Sequence, residues 1–275
     1  MITLYDYETS MPGKTISPWV MKVRLALNYK GLPHKTVWFG PFDMEEHAKP
    51  LGLPANQTEI ADDGTVGRYT VPVLHDSSTG EAISDSTRII EYLDEAYPDT
   101  PRIIHPETKT LAVAYEHTRF TEICKTAVKN VVLHIYATIT PRVGSFMSSR
   151  VMSPEDELKY REMVKKNAGV DHTELVANKE VVEGMWEKAE EGLTLLDGYF
   201  RMAKLKFGPE SEGVKGGFLE GSKPGLADFS LGGFLIWMKR GLGETDEQWK
   251  RIESWNDGRW AKYLDAMKPY SEIDE

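Results

Sequence analysis

A proline stands inside what otherwise reads as a β-strand, YTVPVLHD at residues 69–76. Proline fixes φ and carries no backbone N–H, so Pro72 cannot take part in an ordinary central ladder; it needs an edge or a local bend. The flanking pattern says what kind of sheet must accommodate it. Ile2–Tyr7 has the alternation of a short strand. Pro18–Lys30 is an amphipathic run with Trp19, Val23, Leu25, Ala26 and Tyr29 at helical spacing, and Gly31 follows as a stop. HKTVWF, 34–39, is β-branched and aromatic and reads as a second strand. After Pro72, the SSTG turn and EAIS at 81–84 complete a hairpin, and DSTRIIEYLDEAYP opens an amphipathic helix. The order is βαβ, a connecting segment, then ββα.

The connecting section from Gly40 to Gly67 is long and polar, holds Pro41, Pro50 and Pro54, and has room for a short helix near 42–49. PDTPRIIHPETK, 98–109, carries three prolines and reads as a linker. Beyond it no further strand is expected. Leu111–Ile139 is one long helical pattern, and Glu155–Lys166 is polar and charged. Glu183–Phe200 should turn Trp186, Leu193, Leu196 and Phe200 inward, a buried helix should start near Leu226, and the Trp-rich WKRIESWNDGRWAKYLDAM reads as a helical end piece. The chain thus divides into an α/β unit at 1–98, a linker at 99–108 and an all-helical unit at 109–275.

Composition narrows the class. The 275 residues carry a formal net charge of −10, which disfavours nucleic acid and anionic membrane surfaces as partners. Cys124 is the single cysteine, so an internal disulfide and paired-cysteine zinc sites are excluded. The histidines are dispersed, without metal-ligand spacing, and no metal is expected. MITLYDYETS is no secretory signal, and no apolar run approaches the about 18 residues of a membrane span. A cytoplasmic protein is the expectation.

Three motifs carry chemistry. In GKTISPWVMKVRLAL, Ser17 precedes Pro18 at a helix start, where a serine oxygen can cap free N–H groups. In TVPV, Pro72 removes a ladder donor and belongs at an edge or a special bend. In ISDSTRIIEYLDEAYP, Asp85 and Ser86 sit at a helix N-terminus, whose free N–H groups and positive partial charge suit a carboxylate. A fourth motif, GSKPGLADFSLGGFL, is structural: Gly225 stands where a capping box would have Ser or Thr, so only the Asp228 half remains.

Together these motifs resemble the glutathione S-transferases over nearly the whole chain. The resemblance implies a thioredoxin-like α/β N-terminal domain plus an all-α C-terminal domain. It implies a cis bond before Pro72, Val71 pairing through its backbone with the cysteinyl unit of glutathione, Ser86 on the γ-glutamyl carboxylate and Asp85 on its ammonium. Within the family, TISPWVMKVRLALNYKGL with SDSTRIIEYLDEAYPDTP looks most like the etherase-related branch. Glutathione is then the co-substrate, and Ser17 stabilises its thiolate for attack on a hydrophobic electrophile, aryl ethers among them. Thr15 and Tyr7 remain open as alternative donors. The motif S-P-W-V has no thiol, which argues against disulfide chemistry. Trp19, Tyr115, Phe120 and Tyr136 are candidate walls of the acceptor pocket between the domains, with Trp237, Trp249 and Phe146 as weaker ones. The glycyl-end contact is left among Gln57, Arg68 and Lys35. The family is usually a homodimer. A protein that binds glutathione and apolar compounds without turnover, or a scaffold of the same fold, are the competing readings.

Overall fold

The structure is a computed structural model that describes residues 1–9, 13–40, 42–61, 64–106, 178–207, 217–219 and 221–274, together with 158, 162, 165 and 166. Its first half holds β1 (Ile2–Tyr7), α1 (Pro18–Lys30), β2 (His34–Phe39), α2 (Met44–Ala48), β3 (Gln57–Ala61), β4 (Gly64–Arg68), β5 (Val73–Asp76), β6 (Glu81–Ser84) and α3 (Ser86–Ala96). The four-stranded sheet runs β2-β1-β5-β6. β1 and β2 are parallel, joined through α1, while β5 and β6 form an antiparallel hairpin against β1. Pro72 is accommodated by exclusion: β5 begins at Val73, so no ladder bond is asked of the proline.

The Gly40–Gly67 section departs from its polar-loop reading. β3 and β4 pair there as a separate antiparallel hairpin. The D-D-G at 62–64 was the turn signal for it.

The amphipathic reading of α1 fails. Every residue from Val20 to Leu27 is buried, the charged Lys22 and Arg24 included. The helix serves two cores. Val20, Val23 and Leu27 pack with Ile2, Leu4, Val73 and Leu74 of the sheet. Met21, Leu25 and Ala26 pack with the C-terminal helices. A helix apolar on all sides belongs in the interior, and here the cations are tolerated because each reaches a partner. Arg24 lies 3.7 Å from Asp6, donates to Thr36 Oγ1 at 2.9 Å, and pairs with Asp274. Asn28 holds the adjacent backbone, donating to the Tyr270 and Glu272 carbonyls at 2.8 Å each. Lys30 meets Asp94 at 2.8 Å, and Asp94 also accepts the Ile103 and Ile104 amides.

The described part of the second half comprises α4 (Lys179–Phe207), α5 (Leu226–Leu242) and α6 (Glu247–Met267). Trp186, Leu193, Leu196 and Phe200 all face inward, at 0–4% exposure. α5 starts at Leu226, and Asp228 reaches back to the Gly225 amide at 3.1 Å, the expected half box. The same carboxylate accepts the Leu219 amide at 2.9 Å and the buried Tyr263 hydroxyl at 3.1 Å. The Trp-rich end piece is not one helix. Trp255–Gly258 leave helical geometry, with Asn256, Asp257 and Gly258 all at positive φ. Among the described residues the only strand-like pairing past β6 is the isolated Phe218–Gly221 bridge. Leu111–Ile139 and most of Glu155–Lys166 lie outside the described residues.

α1 and α5 touch backbone to backbone. A Cβ at Gly233 would collide with the Pro18 carbonyl and meet the Lys22 amide at 3.1 Å. That close approach pins the start of α1 against the helical half.

Candidate functional site

Strand direction gathers the motif residues at one end of the sheet. Tyr5 pairs with Val73, and Val73 with Ser84. At that end β1 and β2 finish at Tyr7 and Phe39, β5 starts at Val73 just after Val71 and Pro72, and β6 runs from Ser84 into α3 at Ser86. The Val71–Pro72 bond is cis. Asn56, just before β3, grips the preceding residue: the Thr70 amide and hydroxyl donate to its Oδ1 at 2.8 and 3.1 Å, and its Nδ2 donates to the Thr70 carbonyl at 3.0 Å. Nothing in the sequence marks Asn56, because its partner is set by the hairpin that follows it.

Asp85 caps α3 at this end. Its Oδ1 accepts the Thr87 and Arg88 amides at 2.9 and 3.1 Å. Its backbone sits at φ 79°, ψ 126°, a region that side chains other than glycine's avoid. No residue pattern announces that outlier, since an N-cap normally has extended backbone. Ser86 and Thr87 are nearly buried at 6% and 5% exposure. Both hydroxyls receive hydrogen bonds from Lys22 of α1, at 3.4 and 3.0 Å.

Ser17 is the N-cap of α1. Its Oγ accepts the Val20 amide at 3.3 Å, so its own hydrogen is not spent on the cap. The two alternatives are placed differently. Thr15 is 1% exposed and lies beneath the surface against Asp6. Tyr7 packs edge-on to Phe39 at 5.5 Å. Burial raises its phenol pKa, and the Arg68 guanidinium and Val71 amide draw it part of the way back.

Asp6, immediately before Tyr7, has no exposure. Burial pushes its carboxyl up to about 7, against the pull of Thr15, Arg24, the Tyr7 amide and Arg240. Its Oδ1 accepts the Tyr7 amide at 2.8 Å, while Oδ2 has no hydrogen-bond partner among the described residues.

Of the pocket candidates, Trp19 is 39% exposed and its ring meets Phe234 of α5 edge-on at 4.9 Å, where the two halves join. Trp249 is fully buried and Trp237 nearly so, at 0% and 6%, which makes them core. Tyr115, Phe120, Tyr136 and Phe146 lie outside the described residues. Arg68 is half-buried at the end of β4 and its charge acts on the Tyr7 phenol, whereas Lys35 is exposed and pairs with Thr3, well down the edge strand. Gln57 starts β3 opposite Arg68. Among the described residues no group of three or more His, Cys, Asp or Glu could hold a metal, and no helix is long and apolar enough to cross a membrane.

Known proteins resemble this chain in sequence and fold. A family model described as the glutathione S-transferase N-terminal domain matches residues 16–96, and one for the C-terminal domain matches 111–270. A glutathione S-transferase of Ceriporiopsis subvermispora, solved in complex with glutathione, is 31% identical, with a TM-score of 0.81 over 100% of this chain and 99% of that one. The glutathione S-transferase-like protein ustS of Aspergillus flavus is 29% identical over 98% of this chain and 96% of its own. The β-etherase LigF of Sphingobium matches at 16% identity and a TM-score of 0.53, over 98% of each chain, and so speaks for the fold alone. With both domain models placed in order along it, the chain belongs to the glutathione S-transferase family.

Proposed function

We propose that the protein is a glutathione transferase in which Ser17 stabilises the glutathione thiolate for attack on a hydrophobic electrophile. The observation that carries this reading is the meeting of two helix N-termini at one sheet end. α1, which follows β1, offers Ser17 with its hydrogen unspent, and α3, which follows β6 at the same sheet end, offers Ser86. Helix N-termini favour anions, and the reaction needs two anions held, a carboxylate and a thiolate. A free thiol has a pKa near 8.5, so a hydrogen-bond donor and a dipole are needed to populate the thiolate at neutral pH.

In this reading glutathione lies across this end of the sheet. Val71 pairs with its cysteinyl backbone in the manner of an added strand, next to Pro72 at the bend. Ser86 takes the γ-glutamyl carboxylate. Asp85 uses Oδ1 on α3, which leaves Oδ2 for the ammonium. Arg68 is favoured over Lys35 for the glycyl end, because its charge acts on Tyr7 while Lys35 sits down the edge strand opposite Thr3. The acceptor binds against Trp19 at the junction of the units 1–98 and 109–275. The thiolate sulfur forms the new C–S bond with its lone pair, and the leaving group departs with the electrons of the broken bond. From an aryl ether that group is a phenolate, and the etherase-related activity is the finer form of this proposal. A homodimer belongs to the same proposal, and light scattering of the purified chain tests it.

Ser17→Ala is the test. Glutathione binding by calorimetry should persist within about threefold, while kcat/KM for an aryl electrophile falls about a hundredfold, the scale of losing one anion-stabilising donor. Unchanged turnover would move the role to another donor. Absence of turnover in the unaltered protein, over a panel of aryl ethers and aryl halides with glutathione retained, would favour the binding-protein reading.

A further inference from the structure

Ser17 belongs to the α/β unit, but the segment that carries it is held at both ends by the helical half. At Pro18 the hold is Gly233 of α5. At Gly13 it comes from the chain that follows α6. We infer that Ile273 is a positioning residue for Ser17: its side chain braces the turn at Gly13 and so sets where the Ser17 hydroxyl stands against the bound thiol. The inference rests on the reading that Ser17 stabilises that thiolate.

After α6 a single 3₁₀ turn, Lys268–Tyr270, sends the chain back along α1. The Tyr270 ring meets Tyr29 edge-on at 5.3 Å, and Asn28 donates to the carbonyls of Tyr270 and Glu272. Asp274 fastens the run to the edge strand β2. It accepts the Thr36 amide at 2.5 Å and the Thr36 hydroxyl at 2.7 Å, and pairs with Arg24. Ile273 lies between these two anchors, so its backbone is fixed on either side.

The turn it meets is strained. Gly13 and Lys14 are both left-handed, at φ 72° and 57°, and the Thr15 amide folds back onto the Gly13 carbonyl at 2.6 Å. Backbone of this kind persists only where its surroundings hold it. A Cβ at Gly13 would stand 2.8 Å from Ile273 Cδ1 and 3.4 Å from Arg240 Nη1 of α5, so glycine lets both side chains close on the backbone itself. Three residues further on, Ile16 packs against the same helical core as Ile273. Ser17 follows directly. A displacement of about 1 Å at a reacting group costs up to about a hundredfold in rate, so a brace four residues away is felt in the chemistry.

The experiment uses the full chain and reads kcat with an aryl electrophile, glutathione affinity by calorimetry, and the pKa of the bound thiol by its ultraviolet absorbance. Ile273→Ala should lower kcat about tenfold and raise the bound thiol's pKa by about one unit, with glutathione affinity within about twofold. Ile273→Leu, which keeps a δ-methyl, should stay within about twofold of the unaltered protein in kcat. In a Ser17→Ala background Ile273→Ala should add nothing, because its effect passes through Ser17. A further tenfold loss there, or an unmoved thiol pKa in Ile273→Ala, would overturn the role of Ile273 and leave that of Ser17 standing. Unchanged turnover in Ser17→Ala alone would overturn the thiolate reading and this inference with it. Should Ile273→Ala fold poorly, Ile273→Val removes only the Cδ1 methyl that reaches Gly13, and kcat should fall about threefold; no fall overturns the inference.

Discussion

Asp6 and Asp76 are both without exposure, on neighbouring strands of one sheet, yet burial leaves them in opposite states. Asp76, at the end of β5 away from the site, is surrounded by donors. Burial alone would raise it, but the Ser78 hydroxyl and amide and the Tyr97 and Tyr92 hydroxyls outweigh that and hold its carboxyl down at about 2. Ser78 Oγ is at 2.6 Å and Tyr92 OH at 2.9 Å, and Tyr97 donates as well. Asp6, at the site end of β1, receives one hydrogen bond and a cation at 3.7 Å, and its carboxyl rises to about 7. The far end of the sheet is built for stability, tying the hairpin to α3. The site end keeps an unsatisfied oxygen beneath the loop that carries Ser17. Strain of this kind, polar or in backbone as at Asp85, gathers where a fold binds something.

Removing the better-served carboxylate should do the most damage. Asp76→Asn is expected to cost about 3 kcal/mol at pH 7, a fall in melting temperature of about 6–12 °C. Because the folded pKa lies below the ordinary carboxylate value, its contribution is complete above that value and is lost as pH falls through about 2. The penalty should therefore shrink between pH 5 and pH 3; a constant penalty would show that the charge is irrelevant.

Asp6 has the opposite sign and a smaller effect. Its folded pKa is raised, so its contribution is complete below the ordinary carboxylate value of 3.8 and is lost as pH rises through about 7. The unaltered protein should lose about 2 kcal/mol from this group between pH 5 and pH 8, and Asp6→Asn should flatten that slope. Parallel melting curves for the two would break the contrast. The smallest effect is expected from Thr15→Val. It should cost under about 1 kcal/mol, steepen the loss above pH 6 by withdrawing one group that lowers Asp6, and leave kcat within about twofold. A hundredfold loss of kcat would instead make Thr15 the donor to the thiolate.

What could be read from the sequence was local. The S-P helix start, the strand broken at Pro72, the D-S cap of α3 and the Asp228 half box each declare themselves within a few residues. So do the inward positions of α4, which recur at helical spacing. What escaped depends on distant partners. Lys22 and Arg24 look like solvated charges until Ser86, Thr87, Thr36 and Asp274 are brought to them. Asn56 takes its meaning from Thr70, across a hairpin whose turn signal, D-D-G, lay inside a stretch too polar to suggest strands. The break in α6 is marked in the sequence only by N-D-G at 256–258.

The Arg24–Asp274 pair spans 250 positions. A ribosome makes Arg24 early and Asp274 very late, so a nascent α/β unit must wait through the synthesis of every described helix of the second half before this cation meets that carboxylate. Asn28 waits for Tyr270 and Glu272 in the same way. The glutathione-binding half is therefore first to be synthesised and among the last to be completed, and a fragment holding that half alone would carry a buried arginine missing one of its counter-charges.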